Sequence, residues 1–150
     1  MLESNDILNS DIFDFPVYPL SENLTERGRG DNVRQILICL AGAGTPELHV
    51  FLEKIMASVK VDLTTDTFSI PIADQEQFRF ASLAQEKGFT TAIFFGLVPA
   101  QAGLHLNVQK YQPLTFGEQT FLFADKLETI QTQSQFKRPL WEALKKIFGD

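Results

Sequence analysis

The run Ile36-Leu37-Ile38-Cys39-Leu40, followed closely by Gly42-Ala43-Gly44 and then Thr45-Pro46-Glu47, most constrains what this chain can fold into. An unbroken apolar run bounded by glycines reads as a strand buried on both faces, the kind found in parallel sheets covered by helices. Thr45 as N-cap, Pro46 at the first helical position and Glu47 in the first turn then open a helix. Leu48, Phe51, Leu52, Ile55, Met56 and Val59 follow at i, i+3, i+4, i+7, i+8 and i+11, one apolar face of an amphipathic helix.

The same alternation continues. Thr67 to Ile72 has period two, and Pro71 places that strand at a sheet edge. Asp74 and Gln77 form a capping-box-like start to a helix running through Phe78, Ala81, Leu83 and Ala84 to Lys87, with Gly88 as its C-cap. Thr91 to Phe95 reads as a third buried strand. Residues 33–97 are therefore strand-helix-strand-helix-strand, which implies parallel strands. Beyond Pro99, Leu104 to Pro113 is mixed and Gly117 marks a turn. Thr120 to Ala124 is a fourth strand, and Leu127 and Ile130 sit in a short helical turn. A last helix carries Leu140, Trp141, Leu144, Ile147 and Phe148, with Pro139 in its first turn. The expectation is a three-layer α/β fold: about four strands in a largely parallel sheet, with helices on both faces. Residues 32–150 form the single domain and residues 1–31 an N-terminal arm and linker.

That arm mixes aromatic residues with two prolines from Asp11 to Leu20, then turns polar from Ser21 to Asp31, a stretch that reads as a flexible linker containing Gly28 and Gly30. Ile12, Phe13, Phe15, Val17 and Tyr18 are costly to expose together. They pack back on the domain or dock on a partner, as short apolar anchors commonly do. The chain holds 14 Phe against 1 Trp and 2 Tyr. Phe has no polar handle, so these rings belong in the core or at an interface, and Trp141 could serve either.

Charge and cysteine usage narrow the function classes. The formal net charge is -6, and nucleic acid binding needs a basic face that displaces counterions, so direct DNA binding is disfavoured. Lys137, Arg138, Lys145 and Lys146 make the C-terminal region locally basic; a DNA-contacting face is the alternative there, and a solvated helix edge is the ordinary reading. A single cysteine permits neither an internal disulfide nor a Cys-rich metal site. The opening residues Met1 to Asp6 carry two acids and no base, unlike a signal peptide, and no run approaches the ~18 apolar residues of a membrane helix. A cytoplasmic protein is expected.

Candidate chemistry is sparse. The turn Ala41 to Thr45 stands where glycine-rich loops cradle phosphate. It matches neither nucleotide-binding spacing, Pro46 removes a donor, and Glu47 places negative charge there. If the strand order reverses between the first and third strands, a crevice opens at their C-terminal ends, lined by Gly42, Gly44, Thr45, Gly96 and Leu97. A small ligand or nucleotide could bind there, but no positioned base or nucleophile accompanies it. Cys39 is expected to be buried and inert, and His49 and His105 to be surface or packing residues. Asp62, Asp66 and Asp74 lack calcium-loop spacing and read as turn and cap residues. No cofactor or metal is expected.

Several segments together resemble a family. Gln35 to Leu40, the turn to Pro46-Glu47-Leu48, Leu52-Glu53-Lys54-Ile55-Met56-Ala57, Phe94-Phe95-Gly96 and Leu140-Trp141-Glu142-Ala143-Leu144 are similar to the psi subunit of the bacterial DNA polymerase III holoenzyme. The resemblance implies a non-enzymatic small α/β adaptor that ties the clamp loader to the chi subunit and, through it, to single-stranded DNA-binding protein. It also implies an N-terminal arm that docks on the clamp-loader collar, a role that would fall to Asp11 to Leu20. This chain departs from the family in that arm, which is acidic at Asp11 and Asp14 and matches no arm motif residue by residue. The leading reading is thus a non-catalytic adaptor. A ligand-binding α/β domain is the alternative, and a nucleoside- or base-processing enzyme on the same fold is a weaker third.

Overall fold

The computed structural model describes residues 25–42 and 45–149. Its centre is a five-stranded sheet of order β2-β1-β3-β5-β4, built from β1 (Ile36–Ala41), β2 (Thr67–Ile72), β3 (Thr91–Phe95), β4 (Leu114–Phe116) and β5 (Gln119–Ala124). The first three and β5 are parallel, in the registers Cys39 to Ile70, Cys39 to Phe94 and Phe94 to Phe123. β4 runs antiparallel to β5 at one edge. The helices packed against this sheet among the described residues include α1 (Pro46–Ala57), α2 (Leu63–Asp66), α3 (Phe80–Lys87), α4 (Leu127–Thr132) and α5 (Lys137–Phe148). Among the described residues no helix is long and apolar enough to cross a membrane.

Strand alternation divides the core into two layers. Leu37, Cys39, Ala92, Phe94, Phe121 and Phe123 point to one face, where α3 packs. Ile36, Ile38, Ile93, Phe95, Leu122 and Ala124 point to the other, under α1, α4 and α5. This two-sided cover explains the apolar runs of β1 and β3, since side chains pointing either way are buried along most of each strand. The α3 face accounts for much of the phenylalanine: Phe80 meets Phe121 edge-on at 5.1 Å and Phe94 stacks on Phe123 at 4.6 Å. Each such ring stabilises the fold by about 1.5–3 kcal/mol through burial alone.

Three expectations change. The sheet has five strands because Leu114–Phe116 pairs with β5 through the two-residue loop Gly117-Glu118. Gly117 takes φ +65°, the positive value such hairpin turns demand at their first position. The second long helix begins at Phe80, with Arg79 as its N-cap and no capping side chain. The backbone before it is held elsewhere: Phe78 N–H donates to Gln101 O at 2.7 Å, Glu76 N–H donates to Ala73 O, and Gln75 sits at φ +63°. No capping box forms at Asp74.

The third change concerns the expected linker. Residues 25–32 lie along the outer edge of β2, and Val33 and Arg34 continue along α2. Arg29 and Ser69 exchange backbone hydrogen bonds at 2.9 and 2.8 Å, and Asn32 N–H donates to Thr67 O. The Arg27 guanidinium donates to Pro71 O. The outward carbonyls of Thr67, Ser69 and Pro71 are thereby all satisfied, and Pro71 occupies an edge position where its missing N–H costs nothing. Gly28 and Gly30 serve close approach here. A Cβ on Gly28 would enter the Phe68 ring, and one on Gly30, at φ +120°, would strike Thr67 O.

Candidate functional site

Two places follow from the topology. The first is the crevice at the C-terminal ends of β1 and β3, where the strand order does reverse. Gly42 and Gly96 lie there, but Gly42 N–H donates to Ile72 O at 2.7 Å and Gly96 N–H to Ala124 O at 2.8 Å. Those two amides are spent on the sheet and offer nothing to an anion. Thr45 Oγ1 accepts from Leu48 N–H at 3.2 Å as the N-cap of α1. Gly44 lies outside the described residues. Lys126, which immediately follows β5 and its flanking Asp125, spans the crevice: a Cβ on Gly96 would meet Lys126 Cγ at 2.5 Å and Ala41 Cβ at 3.0 Å. Its Nζ reaches Asp74 Oδ1 at 3.5 Å. What remains is a cavity of about 100 Å³ lined by Gly42, Thr45, Leu48, His49, Lys126 and Glu128 among others. That is room for a few waters, each taking ≈ 30 Å³. The sequence carried no signal that Lys126 would lie there.

The second place is a groove of about 420 Å³ between α1 and α5, lined by Phe51, Lys54, Ile55, Ser58, Lys137, Leu140 and Trp141. Helix periodicity builds it. α5 turns Leu140, Ala143 and Leu144 into the core, spaced i, i+3, i+4. Trp141 is one position further round and is left 40% exposed. α1 likewise buries Leu52 and Met56, so Phe51 and Ile55, each one residue earlier, flank the groove half-buried. Cations sit on its aromatic walls: Lys145 Nζ lies 4.3 Å from the Trp141 ring centroid and Lys137 Nζ 5.6 Å from that of Phe51. Sequence periodicity assigned Phe51 and Ile55 to the core face and gave no hint that they shape a groove. The C-terminal basic cluster is partly engaged locally, with Arg138 Nε 3.1 Å from Glu142 Oε2.

Ile12, Phe13, Phe15, Val17 and Tyr18 lie outside the described residues. Cys39 is fully buried, and desolvation pushes its thiol well above the ordinary range. His49 is exposed, 3.7 Å from Glu53 on the same helix. His105 is also exposed and lies on the opposite sheet face, in a wide groove with Phe80, Leu104 and Phe116. Asp62 caps α2 by accepting from Thr64 and Thr65 N–H, and Asp66 accepts from Asp62 N–H. Among the described residues no three His, Cys, Asp or Glu converge as a metal-ligand set. No family model matches this chain, and no curated protein matches it.

Proposed function

We propose that this chain is a non-catalytic protein–protein adaptor of the cytoplasm, resembling the psi subunit that links the clamp loader to single-stranded DNA-binding protein. The observation that carries the reading is Trp141, a large aromatic side chain held 40% exposed on an apolar groove. Exposed aromatic residues set among apolar neighbours and ringed by long polar side chains are the usual anchors of protein interfaces. The arm from Asp11 to Leu20 supplies a second set of anchors. Direct nucleic acid binding fits less well, because Lys137 and Lys145 lie over aromatic rings. The ligand-binding alternative rests on the reversed strand order at β1 and β3, and Lys126 across that crevice weighs against it.

The test is affinity recovery from native cytosol on the full chain and on Trp141→Ala. Clamp-loader or single-strand-binding proteins should be recovered by the first and lost from the second, with both variants equally folded by circular dichroism. If the full chain recovers neither, the adaptor reading fails.

A further inference from the structure

The charge of this protein is unevenly spread. Residues 1–24 hold five of the 19 acids (Glu3, Asp6, Asp11, Asp14 and Glu22) with no Lys or Arg, leaving 14 acids against 13 bases in all the rest. Nearly the whole net charge of -6 therefore belongs to the arm. The α1–α5 groove has the opposite character, apolar at Phe51, Ile55, Leu140 and Trp141 and flanked by Lys54, Lys137 and Lys145. We propose that this groove is the docking site of the chain's own N-terminal arm. The apolar side chains from Ile12 to Tyr18 lie against Trp141, Phe51 and Ile55, and the carboxylates of Asp11 and Asp14 face Lys54 and Lys137.

The tether between the arm and the described chain is short. The described chain starts at Thr25, beside the outer edge of β2, where the neighbouring Arg27 bonds Pro71. Helix α1 joins β1 to that edge strand, while α5 touches β5 further across the sheet. The link from Tyr18 to Thr25 extends to about 25 Å. A segment tethered this closely reaches an effective concentration on the order of 1 mM, enough to fill a groove of modest affinity. Arm docking extends the adaptor reading without depending on it, because the contact is internal to one chain.

Trp141 is the sole tryptophan, so its accessibility reports the groove directly. The experiment is acrylamide quenching of the full-length chain, using the neutral quencher to avoid charge effects. The double substitution Phe13→Ser, Phe15→Ser should raise the quenching constant about twofold as the indole is uncovered. Reversing the arm (Asp11→Lys, Asp14→Lys) or the groove (Lys54→Glu, Lys137→Glu) should each do the same, and combining the two reversals should restore protection. An unchanged constant in the Phe13, Phe15 variant overturns the proposal. So does protection that grows with protein concentration between about 1 and 100 μM, which would place a second copy's arm in the groove. The adaptor reading fails separately, by loss of partner recovery.

Discussion

The guanidinium of Arg27 meets the carboxylate of Glu76 edge to edge, Nη1 to Oε1 at 3.0 Å and Nη2 to Oε2 at 2.6 Å. Glu76 also accepts from Ala73 N–H at 2.9 Å. One carboxylate thus fastens the segment beside β2 to the loop that leads into α3. The hydrogen bond from Arg27 is the main reason the Glu76 carboxyl titrates below its ordinary range, outweighing its partial burial. A carboxylate whose folded pKa is depressed contributes stability above its unfolded value of about 4.3, and that stability is lost as pH falls through the folded value. Arg27→Ala should cost about 0.5–1 kcal/mol at pH 7, the range for a solvent-screened pair. The gap from the parent protein should narrow below about pH 4. Urea unfolding at both pH values checks this, and an equal gap at each would refute it.

The two glycines beside β2 should differ in their tolerance of alanine. At Gly28 the obstacle is the Phe68 ring, held between Phe89, stacked at 6.2 Å, and Lys87 at 4.8 Å. The ring can shift at a cost of about 1–3 kcal/mol. At Gly30 the obstacle is backbone, the Thr67 carbonyl, and φ is +120°. Gly30→Ala should therefore lower the unfolding midpoint more than Gly28→Ala. Thermal denaturation of the two variants gives the order directly.

Tyr111 donates to Asp125 Oδ2 at 2.6 Å while Lys110 donates to Oδ1 at 2.7 Å. The Tyr111 ring stacks on Phe136 at 6.1 Å, which ties the loop after residue 109 to the approach to α5. Desolvation first, and the hydrogen bond to Asp125 second, raise the phenol well above its ordinary range. A raised folded pKa means that its stabilisation is complete below the unfolded value near 10 and is lost as pH climbs towards the folded one. Absorbance titration at alkaline pH should show one of the two tyrosines ionising late, and Tyr111→Phe should abolish that late step. The substitution should also cost about 1 kcal/mol at pH 7. Two tyrosines ionising together near pH 10 would contradict this account.

The parallel core was readable from sequence because burial on both faces leaves a distinctive mark. Ile36 to Leu40 and Ala92 to Phe95 are apolar without interruption, and Thr45-Pro46 announces a helix by side-chain chemistry alone. What escaped was decided by tertiary contacts. Phe78 lies outside the helix, where the Gln101 carbonyl, distant in sequence, accepts its N–H. Phe51 and Ile55 carry the same hydrophobic signature as Leu52 and Met56, and only the position of α5 separates groove from core. Lys126 reaches over Gly96 for the same kind of reason: its place is fixed by where β5 ends relative to β3.

Trp141 and Leu144 share helix α5 but should respond to truncation very differently. Leu144 is fully buried, and Leu144→Ala should cost about 2–5 kcal/mol. Trp141 keeps much of its surface in solvent, so Trp141→Ala should cost about 1 kcal/mol or less. Chemical denaturation of both variants separates a residue that builds the fold from one that the fold displays.

The exchange of backbone hydrogen bonds between Arg29 and Ser69 also sets where the chain can safely be cut. Removing residues 1–24 deletes the acidic arm and leaves the β2 margin occupied. A cut after residue 31 would strip that margin, freeing the Ser69 amide and the carbonyls of Ser69 and Pro71 to template strand pairing between molecules. The shorter protein would then self-associate into aggregates, and a loss of partner binding in it could be misread as a property of the arm.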